Sequence, residues 1–145
     1  MLAARTVRRT ELTRIAIADV LGELDLEGVE KALTDVMAAM LQTGLDLAWR
    51  AVCDDSDARL TDVTIIGMGR FGGRELGYSS DADVMYVHRP RDGADAGAAQ
   101  DQALAVVTEL RRLAALAGPS AAGPFAAGPP RIAVPPFDFT DASAA

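Results

Sequence analysis

Cysteine is almost absent from this chain. Cys53 stands alone among 145 residues, which excludes an internal disulfide and a cysteine-built metal site. No histidine lies near it in sequence, so it reads as a buried helix residue rather than a nucleophile. Lysine is equally scarce: Lys31 is the only one, and every other basic residue is arginine. With abundant Ala, Gly, Asp and Arg, this reads as the coding bias of a GC-rich genome. No run of about 18 apolar residues occurs, which excludes a membrane-spanning helix. The opening MLAARTVRR has arginines but no apolar segment behind them, so a secretory signal is not expected and a cytoplasmic location is. Excess positive charge is also missing. Fourteen Lys and Arg stand against 21 Asp and Glu, a net charge of −7. That argues against a general nucleic-acid binder, which would neutralise phosphates with basic residues. It leaves room for a small nucleotide carried with a metal ion.

What is present is an ordinary globular composition, 50% hydrophobic and 24% charged, in a chain long enough for one domain. The first half reads as helical. Thr10 caps a predicted helix through TELTRIAIADVLG, with Leu12, Ile15, Ile17 and Val20 as its stripe and Gly22 as its stop. A longer helix is predicted from Asp25 as N-cap, with Leu24 and Val29 spaced as a hydrophobic staple. Val29, Leu33, Val36, Met37, Met40, Leu41, Leu45, Ala48 and Val52 then recur at three- and four-residue steps, the mark of an amphipathic helix. Trp49 and the methionines read as packing residues. Asp54, Asp55 and Asp57 invite a calcium reading, but Leu60 and Ile66 fall where an EF-hand loop needs glycine and glutamate. The stretch DDSDARLTD is therefore a solvated loop.

The period then changes. Val63, Ile65 and Ile66 form a β-branched run of buried-strand type, stopping at Gly67. The segment GMGRFGGRELGYSSDAD follows, and then a second apolar run, Val84-Met85-Tyr86-Val87. Residues 98–117 return to helix, with Leu104, Val107, Leu110, Leu113 and Leu116 on one face. Beyond Gly118 most of the chain's prolines crowd into an Ala- and Pro-rich stretch without period, which predicts a disordered tail. The fold class expected is α+β, in three parts: a helical segment over 1–57, a core over 58–117 and the tail over 118–145.

Gly67, Gly69 and Gly72 satisfy G-x-G-x-x-G after a strand, the dinucleotide-binding fingerprint. Its context is wrong. That fingerprint opens into a long helix and wants its acid at the end of the next strand. Here only a short helical stretch, at most Gly73 to Gly77, fits before Tyr78, and the acids stand at the next strand's start. The same residues read better another way. Asp81 and Asp83 lie two apart at the mouth of a strand, so both carboxylates project from one face. Their oxygens suit a pair of Mg²⁺ ions, one activating a hydroxyl and one holding a triphosphate. Gly72 and Gly73 allow close approach of phosphate oxygens to backbone amides, and Ser80 adds a hydroxyl donor. Two acids on one strand face repel each other unless a cation is bound, which weighs against a merely polar turn.

The stretch GMGRFGGRELGYSSDADVMYVH resembles the nucleotidyltransferase motif of the glutamine synthetase adenylyltransferase and adenylyl-removing family, among the DNA polymerase β-like nucleotidyltransferases. Residues 9–50 resemble the helical segment preceding that motif, and the likeness spans roughly residues 9–117. Gly-Gly, Arg-Glu-Leu-Gly-Tyr and Ser-Ser-Asp look more like the AMP-adding half than the AMP-removing half. Protein uridylyltransferases share part of the theme. The resemblance implies a partial polymerase β-like fold with a mixed sheet and flanking helices. It also implies Mg²⁺-dependent transfer of AMP from ATP to a tyrosine of glutamine synthetase. A PII-type regulatory protein is the implied partner of the full-length enzyme. Asp81 and Asp83 match the metal-binding pair, and Gly72, Gly73 and Ser80 the phosphate-holding turn. Arg70 matches a usual basic position, where it reads either as facing a phosphate or as a solvated arginine. Glu75 reads as structural, Tyr78 and Tyr86 as packing, and His88 as a surface residue without a role. The family's third carboxylate, in an Asp-x-x-Leu-Arg-Pro-like segment, has no counterpart here. The reading frame is expected to depart from the family near Gly118 or Pro119, through a frameshift or truncation. An inactive nucleotide- or partner-binding fragment is therefore the alternative expectation.

Overall fold

The structure, a computed structural model, describes residues 2–53 and 59–116. The acidic stretch 54–57 and the tail 118–145 lie outside the described residues. In chain order the elements are α1 (Leu2–Val20), α2 (Leu26–Val52), β1 (Thr61–Gly67), α3 (Gly69–Gly73), β2 (Val84–Pro90) and α4 (Ala96–Leu116). This is an α+β fold. Among the described residues the sheet is a two-stranded antiparallel pair, with Thr61 opposite Pro90 and Gly67 opposite Val84, rather than the mixed sheet expected.

Helix α1 starts well before Thr10, which lies inside it. The preceding residues contain no Gly or Pro and are rich in Ala, Leu and Arg, all good helix formers, so nothing halts the helix at Thr10. Its C-terminus ends as expected. Gly22 takes φ +71°, and the Glu23 and Gly22 amides donate to Ala18 O (2.8 Å) and Asp19 O (3.0 Å), a Schellman closure. The apolar stripe is narrower than expected. Ile15 is buried and Leu12 half-buried, but Ile17 and Val20 face solvent. Helix α2 follows its pattern closely. The Asp25 carboxylate accepts from Gly28 N at 2.8 Å, and Leu24 packs beside Val29. Cys53 is half-buried at the C-cap rather than inside the helix, its N–H donating to Trp49 O at 2.8 Å.

Two cores result, both leaning on α2. The larger joins Leu45, Ala48 and Trp49 of α2 to Val106, Val107, Leu110 and Leu113 of α4, with Tyr86 of β2 between them. Gly44 allows the helices to close, since a Cβ there would lie 2.7 Å from Leu110 Cδ1. The smaller joins Ile15 of α1 to Val29 and Leu33 of α2 and to Leu76 of the loop between the strands. The C-terminal half of α2 thus packs with the sheet and α4. Strand β1 is half-buried instead of buried, because only one face of the hairpin is covered: Ile66 and Met85 remain about two-fifths exposed. No helix among the described residues is long and apolar enough to cross a membrane.

Candidate functional site

Residues 68–83 connect two paired strands, far more chain than a hairpin needs, and long ordered connections of this kind are usually functional. The Met68 N–H donates to Asp83 O at 2.8 Å, adding one rung beyond the strand ends. Gly69 turns the chain with φ +51°, so a side chain is disfavoured by backbone strain, although a Cβ there would make only an ordinary 3.4 Å contact with Asp83 Oδ2. The short helix occupies Gly69–Gly73, not the expected Gly73 to Gly77. It lies tight against the strand end: a Cβ on Gly72 would be 2.5 Å from Gly67 O. The Gly72 amide donates to Met68 O at 2.9 Å, a bond within the turn. Gly72 serves to seat α3. The nearest atoms to a Cβ on Gly73 would be those of the Glu75 carboxyl, from 3.5 Å, an ordinary contact, and Gly73 is exposed.

The turn α3 closes through Arg74, the only non-glycine residue with positive φ among those described (φ 63°). The Arg74 and Glu75 amides donate to Phe71 O (3.2 Å) and Arg70 O (2.8 Å), so the Glu75 backbone helps close the turn. The Arg74 guanidinium pairs with Asp35 on α2. Leu76 is then buried to 2% exposure in the smaller core. Tyr78, expected to pack, is half exposed and donates its hydroxyl to Asp19 Oδ2 on α1 at 2.9 Å. Ser80 Oγ accepts the Gly77 N–H at 3.0 Å, and the Ser80 N–H donates to Gly77 O at 3.1 Å. That turn occupies the acceptor side of the hydroxyl and leaves its proton for another acceptor.

Asp81 and Asp83 follow, both exposed, with Ala82 buried at 7% between them. This exposed–buried–exposed alternation is the one extended chain gives when residues two apart share a side. Neither carboxylate has an ion-pair partner among the described residues, and no third His, Cys, Asp or Glu joins them in a cluster able to hold a metal ion. Arg70 is exposed on α3, in no ion pair among the described residues. The structure therefore brings Asp81, Asp83 and Ser80 into one run of chain, beside the turn that holds Gly72, Gly73 and Arg70.

His88 differs from its expectation. It is buried to 3% exposure. Inward Tyr86, two residues earlier, was the available signal, since strand residues two apart share a face. Thr61 Oγ1 donates to Arg89 O at 2.9 Å, so the 3.1 Å contact with His88 Nδ1 uses the imidazole proton. Nε2 is then a bare lone pair, buried without a hydrogen-bond partner. Burial lowers the His88 pKa. Tyr86, buried nearby on the same face, has its pKa raised to about 12 by burial, with Arg111 opposing.

A family model for glutamate-ammonia ligase adenylyltransferase matches residues 1–124. Among curated proteins, the chain is similar to a bifunctional glutamine synthetase adenylyltransferase/adenylyl-removing enzyme of Mycolicibacterium smegmatis. It is 50% identical over 119 residues, covering 82% of this chain and 12% of that protein. Enzymes of the same description from Mycobacterium tuberculosis (47% over 110 residues, 76% and 11%) and Mycobacterium leprae (52% over 93 residues, 64% and 9%) are also similar. The chain thus spans only about an eighth of the length of such relatives, 12% in the first case.

Proposed function

The chain belongs to the glutamate-ammonia ligase adenylyltransferase family, and from that premise we propose that it carries the nucleotide-handling motif of an adenylyl transfer centre. The reaction is transfer of AMP from ATP to a tyrosine hydroxyl of glutamine synthetase, with release of pyrophosphate. One observation supports this reading above the others. Asp81 and Asp83 are both exposed, and neither carboxylate is neutralised by a basic side chain among the described residues. Two such hard oxygen donors fit Mg²⁺, and a basic neighbour would have competed with it. Bound there, Mg²⁺ supplies Lewis-acid activation of the acceptor hydroxyl and charge neutralisation on the leaving pyrophosphate. Asp81 and Asp83 would hold the ion, the Ser80 hydroxyl would donate to a phosphate oxygen, and the exposed Arg70 and Gly73 would serve the triphosphate. Gly72 contributes by keeping α3 against the strand. In the full-length enzyme this half answers to a PII-type protein, and the setting is cytoplasmic.

A second reading rests on its own observation. No third acidic group joins the pair among the described residues. A two-carboxylate site binds a divalent cation but positions it less firmly, which makes this chain by itself a nucleotide-binding fragment without turnover. Incubation with labelled ATP, Mg²⁺ and glutamine synthetase separates the two. AMP on tyrosine, reduced on the order of 100-fold or more by Asp81→Asn, supports transfer, since loss of one charge-stabilising group costs about that much. Nucleotide binding that Asp81→Asn weakens, without label on the target, supports the fragment. The absence of both refutes each reading.

A further inference from the structure

Asp81 and Asp83 stand where the connecting loop passes from one packed body to another. Asp83 belongs to the hairpin, its carbonyl accepting from Met68 N at 2.8 Å. From Arg74 to Ser80 the loop leans on the helix pair instead. Leu76 is inserted beside Ile15, Val29 and Leu33. Arg74 pairs with Asp35, and Tyr78 donates to Asp19 at 2.9 Å. On α1, Leu12, Ile15 and Asp19 fall at helical steps on one face, so the stripe that packs against α2 also supplies the acceptor for Tyr78. The seam is nearly closed, leaving a crevice of about 20 Å³ lined by Leu12, Leu33, Met37, Leu76, Tyr78 and Ser80.

The two polar contacts add little to global stability. The Arg74 and Asp35 side chains are 52% and 58% exposed, and exposed pairs are weak. They also act at unusual places. Arg74 holds a left-handed conformation that a non-glycine residue adopts at a cost, and Tyr78 is three residues from Asp81. Contacts of this kind orient more than they stabilise.

We propose that Asp19 and Asp35 are positioning residues. Through Tyr78 and Arg74 they fix the path of residues 74–80, and with it the placement of the Asp81 carboxylate relative to that of Asp83. The α1–α2 pair is then a lever on divalent-cation binding: a shift of α1 against α2 spreads the carboxylates and weakens the site. This rests on the reading of Asp81 and Asp83 as metal ligands. Preorganisation supplies the physical reason, because a site whose donors are already in place does not lose their freedom on binding.

The test uses the chain as it stands, with Mn²⁺ as probe, titrated by water-proton relaxation. Tyr78→Phe and Asp19→Asn are each expected to weaken Mn²⁺ binding by about 3- to 5-fold, the most that loss of one exposed polar contact can cost, without moving the melting temperature. Their combination is expected to be no weaker than either alone. Asp35→Arg and Arg74→Asp are each expected to weaken binding, and the swapped pair to restore it. Unchanged Mn²⁺ affinity in these variants, or losses that simply add in the Tyr78–Asp19 pair, overturns the proposal. If the unaltered chain takes up no Mn²⁺, the metal reading of the aspartates fails, and amide hydrogen exchange decides the positioning. Faster exchange at 76–83 in Tyr78→Phe and Asp35→Arg, with β1, β2 and α4 unchanged, supports it; equal exchange overturns it.

Discussion

The two cores differ in what closes them. The larger is bounded by regular elements on every side the structure describes: Leu45, Ala48 and Trp49 from α2, four residues of α4, and the inner face of the hairpin. The smaller buries Ile15, Val29 and Leu33 from its helices together with Leu76, a loop residue, and half-buried Leu12, Val36, Met37 and Phe71 pack around them. A core walled by helices and strands is stiff because each side chain is placed by its element's backbone hydrogen bonds. A core walled by a loop is only as fixed as that loop. The reverse also holds, since burying Leu76 orders a loop that has little secondary structure of its own. The candidate site draws on both cores, with Asp83 continuous with the hairpin and Asp81 at the end of the loop.

The largest expected effects test whether the cores are energetically distinct. Leu110→Ala removes a side chain 1% exposed in the larger core, and Leu76→Ala one 2% exposed in the smaller. Each is expected to cost about 3 kcal/mol at its own site, from lost transfer energy plus the cavity left behind. The difference lies in how far the damage spreads. Leu110→Ala is expected to lower the urea midpoint of the whole chain. Leu76→Ala is expected to speed amide exchange in α1 and residues 74–83 while β1, β2 and α4 keep their protection. Uniform loss of protection in Leu76→Ala would show a single cooperative unit and end the comparison.

Of intermediate size is a pH effect confined to the larger core's flank. His88 is held neutral, with Nδ1–H spent on Thr61 and a bare, buried Nε2. Protonation would place a charge and an unpaired N–H there, and burial accordingly lowers its pKa below the ordinary 6.5. The unfolded chain then binds the proton more readily than the folded one, so stability rises with pH across the window between the lowered value and 6.5. This contribution is complete above that window and lost as pH falls through it. Urea denaturation followed from pH 7 to pH 5 checks it. His88→Gln is expected to flatten the slope, and an unflattened slope would assign the dependence to the carboxylates.

The contrast also explains what could be read in the sequence. Helix α2 was legible because cap, staple and stripe are local signals, and all three agree at Asp25, Leu24 and Val29. The alternation at Asp81, Ala82 and Asp83 was legible for the same reason, since it follows from a period of two. His88 could have been placed by that period, since Tyr86 faces inward, but a lone histidine invited a surface reading. The start of α1 was missed because Thr10 resembles a cap, and no breaker upstream corrects the impression. The tethers were not legible at all. Tyr78 and Asp19 are 59 residues apart, and Arg74 and Asp35 are 39 apart. Nothing local marks either partner, because their meeting depends on how α1 and α2 cross beneath the loop. Leu76 was the one hint, the single aliphatic residue between Gly72 and Asp81.

The smallest expected effect on stability is also the sharpest separation of holding from positioning. Arg74→Gly removes two opposed contributions at once. The left-handed conformation (φ 63°) costs a non-glycine residue on the order of 1 kcal/mol, which glycine relieves. Glycine also loosens the unfolded chain and gives up the exposed pair with Asp35, each a loss of up to about 1 kcal/mol. The net change is expected to lie within about 1 kcal/mol of zero, a shift of only a few degrees in melting temperature. If the pair merely holds the two cores together, Mn²⁺ binding should follow stability and stay nearly constant. If it sets the path of the loop, binding should weaken while stability does not. A large fall in melting temperature would show instead that the smaller core depends on this surface contact as much as on Leu76, and the distinction between a wall and a tether would be lost.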